Sequence, residues 1–152
     1  MNTYNLLIVG GGPAGVAAGV YASRKQLRTL FATESFEGQS SVSEGIENWI
    51  GTIKISGMDL AKSLENHLRA YAKDIVDIKT HSRVTQIKKH ESYSEQTPLF
   101  SVTITDSFTG EITEATVEHI LIATGSTRRK LDAKGADVFE HKGLTYCATC
   151  DG

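Results

Sequence analysis

Two cysteines near the end of the sequence have the spacing of a reactive pair. Cys147 and Cys150 are separated by two residues, and the 152 residues contain no other cysteine. A C-x-x-C pair can form a dithiol/disulfide couple, or it can supply half of a four-ligand zinc site. The five histidines are scattered and form no second close pair. Zinc is therefore disfavoured and we expect no metal site, while two inert thiols remain a further alternative.

A glycine-rich turn lies near the start of the chain. Gly10, Gly12 and Gly15 form a G-x-G-x-x-G motif directly after an apolar segment, residues 4–9, that is typical of a buried strand. A helix rich in small residues is predicted over 16–25. In this context the first glycine permits a tight turn, the second lets the backbone approach a pyrophosphate, and the third lets the helix pack closely on the strand. The motif indicates dinucleotide binding; a glycine-rich turn without a ligand is the alternative.

Glu34 follows the second predicted strand, residues 28–32, about 20 residues beyond the glycine turn. An acidic side chain at that spacing hydrogen-bonds the ribose hydroxyls of a bound adenosine. An ordinary surface glutamate is the alternative interpretation.

The glycine-rich turn also affects which role is assigned to the cysteine pair. Because Cys147 and Cys150 share a chain with a nucleotide-binding turn, a redox role is favoured over zinc or inert thiols. Asp151 follows the second cysteine directly, and its carboxylic acid could pass a proton to a thiolate leaving group. A turn-forming aspartate before Gly152 is the alternative.

The remaining periodicity predicts an α/β fold. A βαβ unit is followed by a long loop, a second helix, a third strand, a small antiparallel insert and a last apolar strand that ends at Thr124-Gly125. These elements are predicted over 34–57 for the loop, 58–73 for the helix, 74–78 for the third strand, 83–88 and 100–105 for the insert and 117–123 for the last strand. Residues 126–152 are mostly polar and predict a loop.

The composition narrows the functional class. Hydrophobic residues make up 39% of the chain and charged residues 22%, which suits a folded domain. The net charge of -2 indicates no nucleic-acid partner. The sequence shows neither a membrane-spanning segment nor a secretory signal, so we expect a cytoplasmic protein without a membrane partner.

Several short motifs, taken in order, resemble the low-molecular-weight, FAD-dependent thioredoxin reductases of the pyridine nucleotide-disulfide oxidoreductase family. The flavoprotein subunit of alkyl hydroperoxide reductase is a close relative with similar motifs. The resemblance covers essentially the whole chain. It rests on Gly10-Gly11-Gly12-Pro13-Ala14-Gly15, Gly38-Gln39, Ile46-Glu47-Asn48-Trp49, Ala123-Thr124-Gly125 and, most specifically, Cys147-Ala148-Thr149-Cys150-Asp151-Gly152.

The resemblance implies a Rossmann-like FAD-binding sheet and a role for each matched motif. The first motif would hold the FAD pyrophosphate, Glu34 would lie near the adenosine, and the Gly38 and Asn48 segments would lie near the flavin. The cysteines would form the disulfide that the flavin reduces, with Asp151 as the acid. The residues implied for the cofactor are Gly10, Gly12, Pro13, Ala14, Gly15, Glu34, Gly38, Gln39, Asn48, Ala123, Thr124 and Gly125.

In such enzymes NADPH or NADH reduces FAD, FAD reduces the cysteine pair, and the pair reduces thioredoxin or a similar protein, commonly within a homodimer. Residues 1–126 would form the N-terminal part of the FAD-binding domain. Residues 127–152 would begin the pyridine-nucleotide domain, whose own glycine-rich turn does not occur in this sequence. The resemblance thus predicts a truncated N-terminal portion. Its alternatives are an inactive or partner-dependent FAD-binding fragment and a peroxiredoxin reductase of the alkyl hydroperoxide type.

Overall fold

The computed structural model describes residues 2–90, 100–126, 129–139 and 142–144. These residues form six strands, three helices and a single 3-10 turn at Gln39–Val42. The strands are β1 (Asn2–Val9), β2 (Thr29–Ala32), β3 (Val76–Lys79), β4 (Ser82–Lys89), β5 (Phe100–Asp106) and β6 (Ile112–Ile122), and the helices are α1 (Pro13–Arg24), α2 (Gly57–Ala72) and α3 (Ala136–Phe139). All six strands join one sheet in the order β3-β2-β1-β6-β5-β4.

The parallel half of the sheet carries helices α1 and α2 on one face. Strand β1 pairs in parallel with both β2 and β6, and β2 pairs in parallel with β3. Ile8, Phe31 and Leu68 are fully buried between the strands and α2. A Cβ atom at Gly19 of α1 would lie 2.7 Å from the side chain of Leu68. The small residues of α1 therefore allow the close packing that the sequence predicted.

The antiparallel strands β4, β5 and β6 continue the same sheet. Strand β6 pairs in parallel with β1 and antiparallel with β5, so it joins the two halves. Val102 and Ile104 of β5 pack in one buried cluster with Leu7 and Leu30 of the parallel strands. The predicted α/β fold with a small antiparallel insert is confirmed, and the insert is continuous with the parallel sheet.

The sheet curls so that the start of β4 returns to the end of β2. The backbone N–H of Ser82 donates to the carbonyl oxygen of Thr33 at 2.9 Å, and the N–H of His81 donates to that of Glu34 at 3.2 Å. The segment that follows β2 is therefore held by the first residues of β4.

Several element boundaries, and the content of two predicted loops, differ from the predictions. Helix α1 begins at Pro13 rather than at 16, because proline suits the first helical position, where an N–H would have no partner. Strand β6 begins at Ile112 rather than at 117, because pairing with β5 and β1, rather than hydrophobic side chains, holds its mostly polar first half in the strand. The predicted loop 126–152 contains the short helix α3. The predicted loop 34–57 is organised by the 3-10 turn and by a bridge between Ile46 and Ile55.

The turn between β5 and β6 provides a prediction about pH. One carboxylate oxygen of Asp106 accepts hydrogen bonds from the backbone N–H groups of Thr109 at 2.8 Å and Phe108 at 2.9 Å. These bonds favour the charged carboxylate and lower the pKa of Asp106 below its ordinary value of 3.8. The resulting stability is present above pH 3.8 and is lost as the pH falls through the folded-state pKa.

Carbon-13 NMR of the side-chain carboxyl should therefore show Asp106 titrating below 3.8 in the folded chain. In Asp106→Asn, which keeps an acceptor oxygen at the same place, this part of the acid dependence of unfolding should disappear. A carboxyl that titrates at or above its ordinary value would contradict the hydrogen-bonded turn.

Candidate functional site

The site is built around the turn that follows β1. Gly10 has a φ of +116°, which side chains rarely adopt, and its N–H donates to the carbonyl oxygen of Ala32 at 2.9 Å. A Cβ atom at Gly10 would lie 2.3 Å from the carbonyl oxygen of Ala123, the residue after β6. The ends of β1, β2 and β6 thus meet at Gly10 with no space for a side chain.

Two further glycines are packed tightly against this framework. A Cβ atom at Gly15 would lie 1.9 Å from the carbonyl oxygen of Gly10, and one at Gly11 would lie 2.5 Å from that of Ser35. Both obstacles are backbone atoms and cannot move aside like the end of a flexible side chain. Helix α1 can therefore begin at this point, against the strand ends, only because these positions lack side chains.

Gly12 differs from its neighbours because it faces open space. A Cβ atom there would have no heavy atom of the described residues within 4 Å, although Gly12 is the N-cap residue of α1. In the described part of the chain no side chain caps α1, and its first turn contains no acidic residue. The first N–H groups of a helix lack partners within the helix and carry the positive end of its dipole. This opening suits an anion such as a pyrophosphate, which would lie where a Cβ would otherwise project.

The segment after β2 approaches the same opening. A Cβ atom at Gly38 would lie 3.9 Å from the Cα of Gly12. Gln39 begins the 3-10 turn, and the next residue, Ser40, lies against the start of α2. A Cβ atom at Gly57 would overlap the carbonyl oxygen of Ser40. Helix α2 therefore fixes the loop that carries Gly38 and Gln39.

The other residues predicted for the cofactor are distributed around this centre. Pro13 is half-buried and Ala14 is exposed at the start of α1, while Thr124 and Gly125 are exposed beyond β6. Asn48 is exposed in the loop closed by the bridge between Ile46 and Ile55. The structure therefore brings the glycines, Gly38 and Ala123 together, while Asn48 lies on the loop closed by that bridge.

Glu34 lies just beyond β2, where an acid was predicted, and it has a partner that the sequence did not indicate. The Nη2 atom of Arg83 lies 2.9 Å and 3.1 Å from the two carboxylate oxygens, and its Nε atom lies 3.2 Å from Oε1. The hydroxyl of Ser107 donates to Oε1 at 3.4 Å. The bond to Glu34 raises the pKa of Arg83, whose charge is permanent in any case. No local motif marks Arg83 or Ser107, because only the curl of the sheet brings them to Glu34.

The predicted catalytic residues Cys147, Cys150 and Asp151 lie outside the described residues, and their roles stay predictions. In the four described ranges, no group of three or more His, Cys, Asp or Glu side chains is placed to hold a metal ion. Across the same part of the chain, no helix combines the length and the apolar character needed to cross a membrane.

A cavity of about 360 Å³ opens at the amino ends of the parallel strands, beside the first residues of β1 and β3. There the hydroxyl of Tyr4 donates to Asp77 at 2.8 Å, and burial, together with that carboxylate, raises the pKa of Tyr4. Ligands of parallel α/β sheets bind beyond the carboxyl ends of the strands. The glycine turn, rather than this cavity, is therefore the candidate site.

Known proteins of similar sequence and structure place this geometry in a family. A model of the pyridine nucleotide-disulphide oxidoreductases matches residues 4–152. An alkyl hydroperoxide reductase subunit from Pseudomonas aeruginosa is 34% identical over 151 residues, which cover 99% of this chain and 27% of that protein.

Two solved thioredoxin reductases have the same fold. The enzyme from Giardia duodenalis superposes with a TM-score of 0.77 and that from T. acidophilum with 0.73, each at 29% identity. Each alignment covers 99% of this chain and 45% of the solved one, so the chain spans less than half the length of these proteins. The six-stranded sheet with its helices matches the Rossmann-like FAD-binding domain of thioredoxin reductases. With its family match and its glycine turn at the head of α1, the chain belongs to the pyridine nucleotide-disulphide oxidoreductases, a family of FAD-binding oxidoreductases.

Proposed function

We propose that this chain binds FAD at the glycine turn and carries the redox-active cysteine pair of a disulfide reductase of the thioredoxin-reductase type. The observation that carries the proposal is the open position at Gly12, at the uncapped N-terminus of α1. When bound, FAD supplies a carrier that accepts and donates an electron pair.

We propose a role in FAD binding for residues along the whole length of the cofactor. Gly12, Pro13 and Ala14 would hold the pyrophosphate, with Gly10 and Gly15 shaping the turn behind it. Glu34 would accept hydrogen bonds from the adenosine ribose. Toward the flavin we place the two loop segments that resemble those of the family, namely Gly38, Gln39 and Asn48. Ala123, Thr124 and Gly125 would end the strand that closes the cofactor site.

The cysteine pair would transfer the electrons to a protein substrate. The Cys147–Cys150 disulfide takes up two electrons and two protons and becomes a dithiol. The thiolate of one cysteine then attacks a disulfide of the acceptor protein, forming a mixed disulfide and releasing one acceptor thiolate. We propose that the carboxylic acid of Asp151 protonates the leaving sulfur. The second cysteine resolves the mixed disulfide, which restores the pair and releases the acceptor as a dithiol.

The acceptor is proposed to be thioredoxin or a thioredoxin-like protein, with NADPH or NADH as the electron source. The solved structures that support this acceptor are thioredoxin reductases. The identity to the alkyl hydroperoxide reductase from Pseudomonas aeruginosa favours a second candidate, a reductase that serves a peroxiredoxin system. For either enzyme we propose residues 1–126 as part of the FAD-binding domain, residues 127–152 as the start of the next domain, a homodimer and a cytoplasmic location.

Two matched substitutions in the glycine turn test the FAD site. In Gly12→Ala the new methyl group meets no atom of the described residues, so the unfolding free energy should change by no more than about 1 kcal/mol. The methyl would occupy the space proposed for the pyrophosphate, so the affinity for FAD should fall at least tenfold, or by about 1.4 kcal/mol. In Gly15→Ala the methyl overlaps the backbone of Gly10, so the unfolding free energy should fall by about 3 kcal/mol, or the chain should fail to fold.

Denaturant unfolding measures the unfolding free energy, and the visible absorption of protein freed of excess FAD measures how much FAD is bound. The proposal fails if the wild-type chain emerges colourless, in which case the polypeptide is an inactive or partner-dependent fragment. It also fails if Gly12→Ala binds FAD as tightly as the wild type does.

The cysteine pair is tested by counting electrons in the FAD-loaded chain. Anaerobic reduction of the wild type should consume two electrons for the flavin and two more for the disulfide. The double variant Cys147→Ser, Cys150→Ser should bind FAD equally well and consume only the flavin's two. Equal consumption by the two proteins would contradict electron transfer from the flavin to this pair.

A further inference from the structure

The ion pair between Glu34 and Arg83 joins two segments that are distant in the sequence. Glu34 follows β2, and Arg83 is the second residue of β4. We propose that Arg83 is a positioning residue, which holds the Glu34 carboxylate in the orientation that binds the ribose hydroxyls of a bound adenosine nucleotide. This inference rests on the proposed nucleotide site and adds to it a residue from the antiparallel part of the sheet.

The geometry of the pair fixes the carboxylate but leaves it able to accept more bonds. A guanidinium group that contacts both carboxylate oxygens restricts the rotation of the carboxylate, which a single-point cation does not do. Oε1 of Glu34 receives Nε and Nη2 of Arg83 and the hydroxyl of Ser107, whereas among the described residues only Nη2 contacts Oε2, at 3.1 Å. An ionised carboxylate has about four acceptor positions. Oε2 therefore retains the capacity to accept hydroxyl donors.

Arg83 is itself held by the backbone around it. The neighbouring Ser82 is buried, and its N–H bonds to Thr33, while the N–H of His81 bonds to the carbonyl oxygen of Glu34. The backbone on which the guanidinium is mounted is thus attached to the backbone that carries the acid. Small movements of the two strands would displace both side chains together and preserve the pair.

The exposure of the pair argues against a mainly structural role. The side chains of Arg83 and Glu34 are 67% and 53% exposed. Exposed ion pairs contribute little to stability, because water screens the charges and both side chains lose conformational freedom. A substitution at Arg83 should therefore change nucleotide binding more than folding.

The experiment compares ADP with 2′,3′-dideoxy-ADP, which lacks the ribose hydroxyls, by isothermal titration of the 152-residue chain. The wild type should bind ADP about tenfold more tightly than the dideoxy compound, because the dideoxy compound has no ribose hydroxyls to donate hydrogen bonds to Glu34. In Arg83→Met, this ratio should fall to about threefold or less, because the carboxylate is no longer held. In Glu34→Gln the ratio should also fall, and adding Arg83→Met to that variant should reduce it no further.

Arg28→Met is the matched control. Arg28 is likewise an exposed arginine, but its guanidinium lies over the ring of Tyr4 at 5.3 Å, beside the cavity at the first residues of β1 and β3, and its loss should leave the ratio at the wild-type value. An Arg83→Met chain that keeps the wild-type ratio, or binds ADP more tightly, would overturn the role of Arg83 while nucleotide binding stands. Failure of the wild type to bind ADP would overturn both the nucleotide site and this role.

Discussion

The structure depends on the close approach of backbones at the end of β1. The positions that Cβ atoms of Gly10 and Gly15 would occupy lie within 2.3 Å of carbonyl oxygens, so side chains at these two residues would separate β1, β6 and α1. Without those side chains, the helix starts directly beyond the strand ends, and its N-terminus faces the opening at Gly12. Gly10 and Gly15 must lack side chains for the chain to fold, because no space is left for them. The proposed nucleotide site instead requires the space beside Gly12 to stay open.

The curl of the sheet provides the second part of the site. Because β4 returns to the end of β2, residues from the antiparallel strands reach the acid that follows β2. The turn at Asp106 contributes to the same arrangement, since the N–H of the next residue, Ser107, bonds to the carbonyl oxygen of His81 at 2.6 Å. The antiparallel part of the sheet therefore does more than extend it, because Arg83 of β4 and Ser107 after β5 bond to the carboxylate of Glu34.

Local patterns were sufficient to predict much of the fold and the centre of the site. The apolar strand before Gly10, the small residues of α1 and the acid after β2 each have a signature within a short stretch of sequence, and the structure places them as predicted. The pairing of Arg83 with Glu34 could not be predicted in this way, because it depends on the path of the sheet between residues 49 positions apart. The early start of β6 was missed for a related reason: its polar half is stabilised by pairing with β5 and β1 rather than by its own hydrophobicity.

The central claim is that the N-terminus of α1, beside Gly12, holds the pyrophosphate of an adenine dinucleotide. The most direct measurement is a nitrogen-15 NMR titration of the chain with ADP, which carries the same pyrophosphate and adenosine. The largest shifts should occur at the amides of Gly12, Ala14 and Gly15, whose N–H groups would face the phosphates. Two results would contradict a pyrophosphate site at Gly12. One is a set of shifts concentrated at Lys73 and Asp74, which line the cavity at the amino ends of the parallel strands, and the other is the absence of shifts at the glycine turn.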